Sequence, residues 1–184
     1  MNTMKLIATT SLCIGAAAAF GQHAGPAAAP YAGLQARDIK ALSPQDTEGL
    51  LQGRGMSLAL AAELNGYPGP MHVLELADAL QLDAGQRERT QSLLAAHKAE
   101  ARDMGLRIVE AERELDRAFA GGKATDEEIE RLTARIATLQ ASLRAAHLQT
   151  HLKQTRMLSL HQVMRYQQLR GYTSAHNTHQ GEAR

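Results

Sequence analysis

Two histidines, His147 and His151, stand four residues apart in a stretch rich in Ala, Leu, Arg and Gln. In a helix that spacing puts both rings on one face, where they can chelate a single metal ion. Two imidazoles hold a metal weakly, so further donors are needed. His97, fifty residues earlier, occupies a position where its helix should present an apolar side chain. A polar ring there costs stability unless it is paired, and an apolar replacement such as Leu is then expected to stabilise the metal-free protein. Glu100 and Met104, one and two turns further on, and Glu63 and His72 from a preceding segment are additional candidate ligands. Three imidazoles with a carboxylate suit Zn, Cu, Ni or Co in the divalent state, and a methionine favours Cu(I). No cofactor is otherwise required. A zinc-protease pattern needs a Glu between paired histidines, which His147 and His151 lack. Gly55-Met56-Ser57-Leu58-Ala59 is a poor nucleophile elbow, because it ends in Ala and no strand precedes it. The expectation is a binding protein, not an enzyme.

These side chains need long helices to bring them together. Leu94, Ala101, Ile108 and Leu115 recur every seven residues, with His97, Met104, Ala111 and Ala118 three residues after each. That is a coiled-coil-like seam, and it predicts a helix from Asp83 to about Phe119, about 55 Å long. Gly121-Gly122 breaks it. Thr125 with Glu128 has the spacing of a capping box and opens a second helix from Asp126 to about Met157, with Ile129, Leu132, Ile136, Leu139, Leu143 and Ala146 on its seam. If the chain folds back at the glycines, facing residue numbers sum to about 245. Ile108 then lies near Ile136 or Ala137, and His97 comes within reach of His147 and His151. Shorter helices are predicted from Ser43-Pro44 to before Gly53, over Met56–Leu64, over His72–Leu80 and from Ser159 to about Leu169. Asn65-Gly66-Tyr67-Pro68-Gly69-Pro70 forces a turn.

Composition agrees with an all-α chain. Of 184 residues, 20 are Lys or Arg and 19 are Asp or Glu, aromatics make up 3 %, and Trp is absent. The charge balance argues against nucleic acid as a partner, and the lack of aromatics argues against barrels and sandwiches. Residues 1–21 read as a secretory signal: Lys5, then an apolar run from Leu6, ending in Ala19-Phe20-Gly21. Cys13 as a lipidated residue is the alternative. Cleavage leaves a thiol-free chain of 19 basic and 19 acidic residues, with no later run long enough to cross a membrane. The expected location is the periplasm. A flexible linker over 22–33, a helical domain over 34–172 and a polar, disordered tail over 173–184 complete the division. His176 and His179 of the tail are weak metal candidates, while His23 and His161 are read as solvent-facing or structural.

A third signal is a basic-apolar stripe. Lys98, Arg102, Leu106, Val109, Arg113 and Arg117 fall along one side of the first long helix. Long basic side chains cover apolar surface while their charges stay wet, so such a face suits weak holding of unfolded polypeptide. The second long helix carries its own stripe of Ala134, Ala141, Ala145, Leu148 and Leu152, which suggests burial against the short helices or a second subunit.

One short pattern occurs twice. Leu82-Asp83-Ala84-Gly85-Gln86 and Leu158-Ser159-Leu160-His161-Gln162 each place a polar cap after Leu and a Gln three residues later, at a helix start. Two copies bracketing a pair of long helices behind an export signal resemble the LTxxQ proteins: the Spy/CpxP periplasmic chaperones and their ZraP- and CnrX-like heavy-metal-resistance relatives. The resemblance covers about Tyr67 to Tyr172, with Asp83 and Ser159 in place of the usual Thr. The segments around Glu63–Pro70, His147–Leu152 and Leu169–Tyr172 point towards the metal-resistance branch. The resemblance implies a four-helix hooked hairpin, a homodimer, and no enzymatic activity. It also implies either an ATP-independent chaperone or stress adaptor for unfolded or misfolded envelope proteins, or a metal sensor or buffer. The alternative partner it implies is a membrane sensor protein.

Overall fold

The computed structural model describes residues 29–172. The leader, Cys13, the linker as far as residue 28, His23 and the tail with His176 and His179 lie outside the described residues. From Gly33 onward the chain is all-helical, with no strand among the described residues. A 3-10 turn at Leu34–Ala36 precedes six α-helices: α1 (Pro44–Gln52), α2 (Leu60–Glu63), α3 (Pro70–Glu75), α4 (Ala84–Ala120), α5 (Asp126–Thr155) and α6 (Leu160–Arg170). No helix among these residues is long and apolar enough to cross a membrane.

Local chemistry sets most helix ends. Ser43, Asp83 and Ser159 each accept a hydrogen bond from the backbone N–H three residues on, and Asp46, Gln86 and Gln162 return a side-chain bond to the cap. Such caps satisfy donors that the first helical turn leaves orphaned. Thr125 caps α5 by accepting from Glu128 N, but Glu128 does not complete the box. Gly53 and Gly171 end α1 and α6 in the left-handed conformation. The middle of the chain differs from the sequence expectation. The predicted Met56–Leu64 helix shrinks to Leu60–Glu63, because Met56 and Ser57 adopt left-handed φ values of 43° and 62°. The predicted His72–Leu80 helix shifts to Pro70–Glu75 and continues as turns, with Gln81 left-handed as well.

α4 and α5 lie side by side. Glu114 bonds Arg131 and Arg135, His97 meets His147, Thr90 accepts from Gln154, and Gln86 donates to the Met157 carbonyl. Numbers rise along one helix as they fall along the other. Towards the Gly121-Gly122 end the shared seam is apolar: Ile108, Val109, Ala111, Ile136, Leu139 and Leu143 are buried together. Burying each large aliphatic side chain contributes about 1.5–3 kcal/mol. Towards the other end the buried positions turn polar, with Thr90, His97, His147, Thr150 and Gln154.

The short helices close over this pair. α1 crosses α4 at Gly105, where a Cβ would sit 2.1 Å from the Leu50 carbonyl oxygen. Only glycine admits that approach. A second apolar cluster gathers Val73, Ala77, Leu80 and Leu82 around Tyr166 of α6. The stripe on α5 stays uncovered by these helices: Ala134, Ala141, Ala145 and Leu152 are exposed, and Leu148 is half-buried.

Candidate functional site

The buried polar residues of α4 and α5 form a connected array. His97 Nε2 and His147 Nδ1 are 2.8 Å apart, and His97 Nδ1 is 3.1 Å from Thr150 Oγ1. The two rings meet edge to face at a centroid distance of 4.4 Å. Each contact between the rings uses one proton. When His97 Nδ1 donates to Thr150 and His147 Nδ1 donates to His97, His147 Nε2 is left as a lone pair. In the reverse order Nε2 carries a buried N–H. Either way this nitrogen has no partner among the described residues. Burial, reinforced by the neighbouring His97 and His151 charges, pushes the His147 pKa down to about 4. Burial also lowers that of His97, against the pull of nearby Glu100. Both rings are neutral at pH 7, the state in which imidazole binds metals.

One turn further along α5, His151 Nδ1 lies 2.7 Å from the Tyr67 carbonyl oxygen. A carbonyl only accepts, so Nδ1 carries the proton and donates it. Gly69 lets the turn before α3 close on this ring: a Cβ there would come within 2.8 Å of His151 Cε1 and 3.0 Å of Nε2. Behind it lies buried Glu63. Its carboxylate accepts from Tyr166 Oη and from Gly69 N at 3.2 Å, with His72 Nδ1 at 3.4 Å and His151 Nδ1 at 3.6 Å. Burial, then the bond to Glu63, raises the Tyr166 pKa, so the phenol keeps its proton and donates.

In front of the histidines lies a cavity of about 560 Å³, bounded by the end of α1, the start of α3 and the facing sides of α4 and α5. His72, His97, His147 and His151 all line it, together with Lys98 and Arg102.

The site residues read from the sequence are placed unevenly. His147 and His151 share the cavity wall, and His97 reaches His147, as the fold-back arithmetic requires. His97, however, turns one ring nitrogen to His147 and the other to Thr150, so it is an orienting partner and not a free ligand. Met104 is buried in the apolar core and does not line the cavity, because its seam position faces the aliphatic layer of α5. Glu100 is exposed and reaches His97 only through its charge. Glu63 is committed to Tyr166 and Gly69, and His72 lines the cavity beside it. Among the described residues, no three His, Cys, Asp or Glu side chains already gather as a metal-holding group.

The basic-apolar stripe is also revised. Val109 is 1 % exposed, because the amino-terminal segment with Ile39 and Leu50 packs over that side of α4. Arg113 is tied to Asp38, and Arg102 donates to the Gln52 carbonyl at 3.4 Å. Lys98, Arg102, Leu106 and Arg117 remain exposed. The stripe is therefore interrupted by α1. His161 is exposed.

Sequence reasoning missed Thr150, Tyr67 and Tyr166. Thr150 is a polar residue on the α5 seam, three residues after His147, and that pattern could have flagged it. Tyr67 acts through its carbonyl, and Tyr166 meets Glu63 across 103 residues, so neither carries a periodic signal.

The fold and cavity define an all-helical protein with a histidine cluster built between two long helices. No family model matches the chain, and no curated protein or solved structure matches it either.

Proposed function

We propose that this chain binds a divalent transition metal, Zn, Cu, Ni or Co, through Nε2 of His147 and Nε2 of His151, as a sensor or buffer without catalytic activity. One observation carries the reading: both rings have Nδ1 engaged by protein partners, His97 and the Tyr67 carbonyl, while no protein hydrogen bond among the described residues reaches either Nε2. Metal-binding histidines are held in this way, with the second ring nitrogen fixing tautomer and orientation. Among the described residues His147 Nε2 is a buried polar atom without a partner, a state that ordinarily calls for explanation, and a metal bond supplies one. His72 is a further donor lining the same cavity.

The remainder of the proposal rests on the resemblance: an LTxxQ-type hooked helical hairpin, exported to the periplasm, acting as a homodimer and reporting to a membrane sensor protein. In support, Gln86 and Gln162 of the two motifs bond each other. Holding of unfolded envelope proteins is the second reading. It loses ground because α1 interrupts the stripe that would serve it.

Calorimetric titration of the purified protein with each of the four ions tests the metal reading. Binding to one of them is expected, with His147→Ala or His151→Ala each weakening it by at least about tenfold. Unchanged binding in the His147→Ala/His151→Ala double variant would place the metal elsewhere and defeat the proposal.

A further inference from the structure

Far from the histidines, on the half of α4 nearer Gly121-Gly122, stands a second buried ionisable group. Glu112 is 9 % exposed, and among the described residues no hydrogen bond or ion pair reaches its carboxylate. A buried charge without a counter-ion is costly, and burial raises the pKa of this one. Its oxygens are not sealed in the way His147 Nε2 is. Glu112 lines a cavity of about 390 Å³ between α4 and the Lys40-Ala41 segment. Leu115, Asp116 and Phe119 follow it by three, four and seven residues, so a single face of the helix makes one wall. Phe119 is 60 % exposed.

The charges lining this cavity are Glu112, Asp116 and Lys40. Lys40 gives its backbone N–H and its ammonium to the two oxygens of Asp116, at 3.2 and 3.3 Å. That pair balances and leaves one negative charge in excess. Arg113, next to Glu112 in sequence, pairs with Asp38 instead. Ala120, the last residue of α4, also lines the cavity, and the carboxyl end of a helix is its negative pole.

We infer that this cavity binds a small organic amine, its primary ammonium on the Glu112 carboxylate and its apolar body against Ala41, Leu115 and Phe119. The inference is independent of the metal reading. An ammonium supplies the missing counter-charge through charge-assisted hydrogen bonds, and the Phe119 ring adds a surface that attracts cations and apolar groups alike. The volume lies within the usual range for small-molecule sites and gives more room than one lysine arm fills. An inorganic cation would meet the charge and leave the apolar walls bare.

Phenethylammonium chloride is the probe. It is titrated into the isotope-labelled full chain at about pH 7, where an alkylamine carries its proton as lysine does, and amide shifts are followed by NMR. Shifts are expected over Glu112–Ala120 and at Lys40 and Ala41, and not around His147. Affinity should exceed that for ethylammonium, which lacks the body, and for phenethyl alcohol, which lacks the charge. Glu112→Gln should weaken binding about 10–100-fold. It keeps the size of the side chain and removes a buried charge, so its melting temperature should not fall. Phe119→Ala, at an exposed position, should weaken binding several-fold with melting unchanged. Should Glu112→Gln melt lower, Phe119→Ala decides. Phenethyl alcohol binding as well as the ammonium, full affinity in either variant, or no shifts along this face of α4 would overturn the inference. Equal binding of acetyl-lysine amide would overturn the free amine in favour of a lysine side chain from another polypeptide.

Discussion

Gln86 and Gln162 exchange side-chain hydrogen bonds of 2.9 and 3.0 Å across the start of α4 and the start of α6. Each also bonds backbone near the other motif: Gln86 Nε2 donates to the Met157 carbonyl, and Gln162 Nε2 donates to the Leu80 carbonyl. Each glutamine Oε1 meanwhile accepts from the backbone N–H of its own cap residue, Asp83 or Ser159. The repeated motif is thus a clasp as well as a pair of caps. Gln86→Ala or Gln162→Ala should each destabilise by about 1–2 kcal/mol, through lost bonds and a partner left unsatisfied. The double variant should cost clearly less than the sum, since the second loss removes a group already orphaned. Urea unfolding of the four proteins measures this, and strict additivity would show that the glutamines act only as separate caps.

His97→Leu should destabilise the metal-free protein. An apolar residue at this seam position, the stabilising choice by sequence pattern, helps only where the ring it replaces is unpaired. Both its nitrogens are in fact bonded, so Leu leaves His147 Nδ1 and Thr150 Oγ1 buried without that partner. The cost is about 1–3 kcal/mol. Metal affinity should also drop, by about 10–100-fold, as for loss of an orienting group behind a ligand. A melting temperature at or above that of the parent would show the histidine pair to be a net burden.

Stability should decline on acidification. His147 is held near pKa 4 by burial, against 6.5 for an ordinary histidine. Between those values the unfolded chain binds the proton and the folded one does not, so stability rises with pH. The contribution is complete above about pH 7 and is lost as pH falls from about 6.5 to about 4, on the order of 3 kcal/mol. Buried Glu112, whose pKa burial raises, acts in the opposite sense at the acid end. Thermal melts from pH 4 to 8 should show a slope in that window, much reduced in His147→Gln. A flat profile in the parent protein would contradict neutral burial of the pair.

Gly105→Ala should be costly although alanine is the better helix former by about 1 kcal/mol. The new methyl would meet the Leu50 carbonyl carbon and oxygen at 2.6 and 2.1 Å, backbone that cannot rotate away. α1 must then shift, at about 1–3 kcal/mol net. Faster amide exchange in α1 than in the parent is the signature, and unchanged exchange would mean the crossing adjusts freely.

Helix ends were legible because their causes are local: Ser43, Asp83, Thr125 and Ser159 cap as their types and spacing require. His97 beside His147 was legible too, since facing positions follow from residue numbers once the turn is known. Val109 was not, because whether a helix face stays wet depends on where α1 docks. Nor was the shape of the 56–81 segment, where left-handed Met56, Ser57 and Gln81 answer to tertiary packing and not to propensity. Glu63 could be named as a donor, but nothing in its neighbours announces Tyr166.

The change from aliphatic to polar side chains along the α4–α5 seam has a consequence for folding fidelity. A uniformly aliphatic seam tolerates sliding by seven residues with little penalty, because every layer looks alike. Here such a slip would part His97 from His147 and Gln154 from Thr90, stranding four buried polar groups against carbon. The polar layer therefore acts as a vernier that admits one alignment of the long helices and rejects its neighbours.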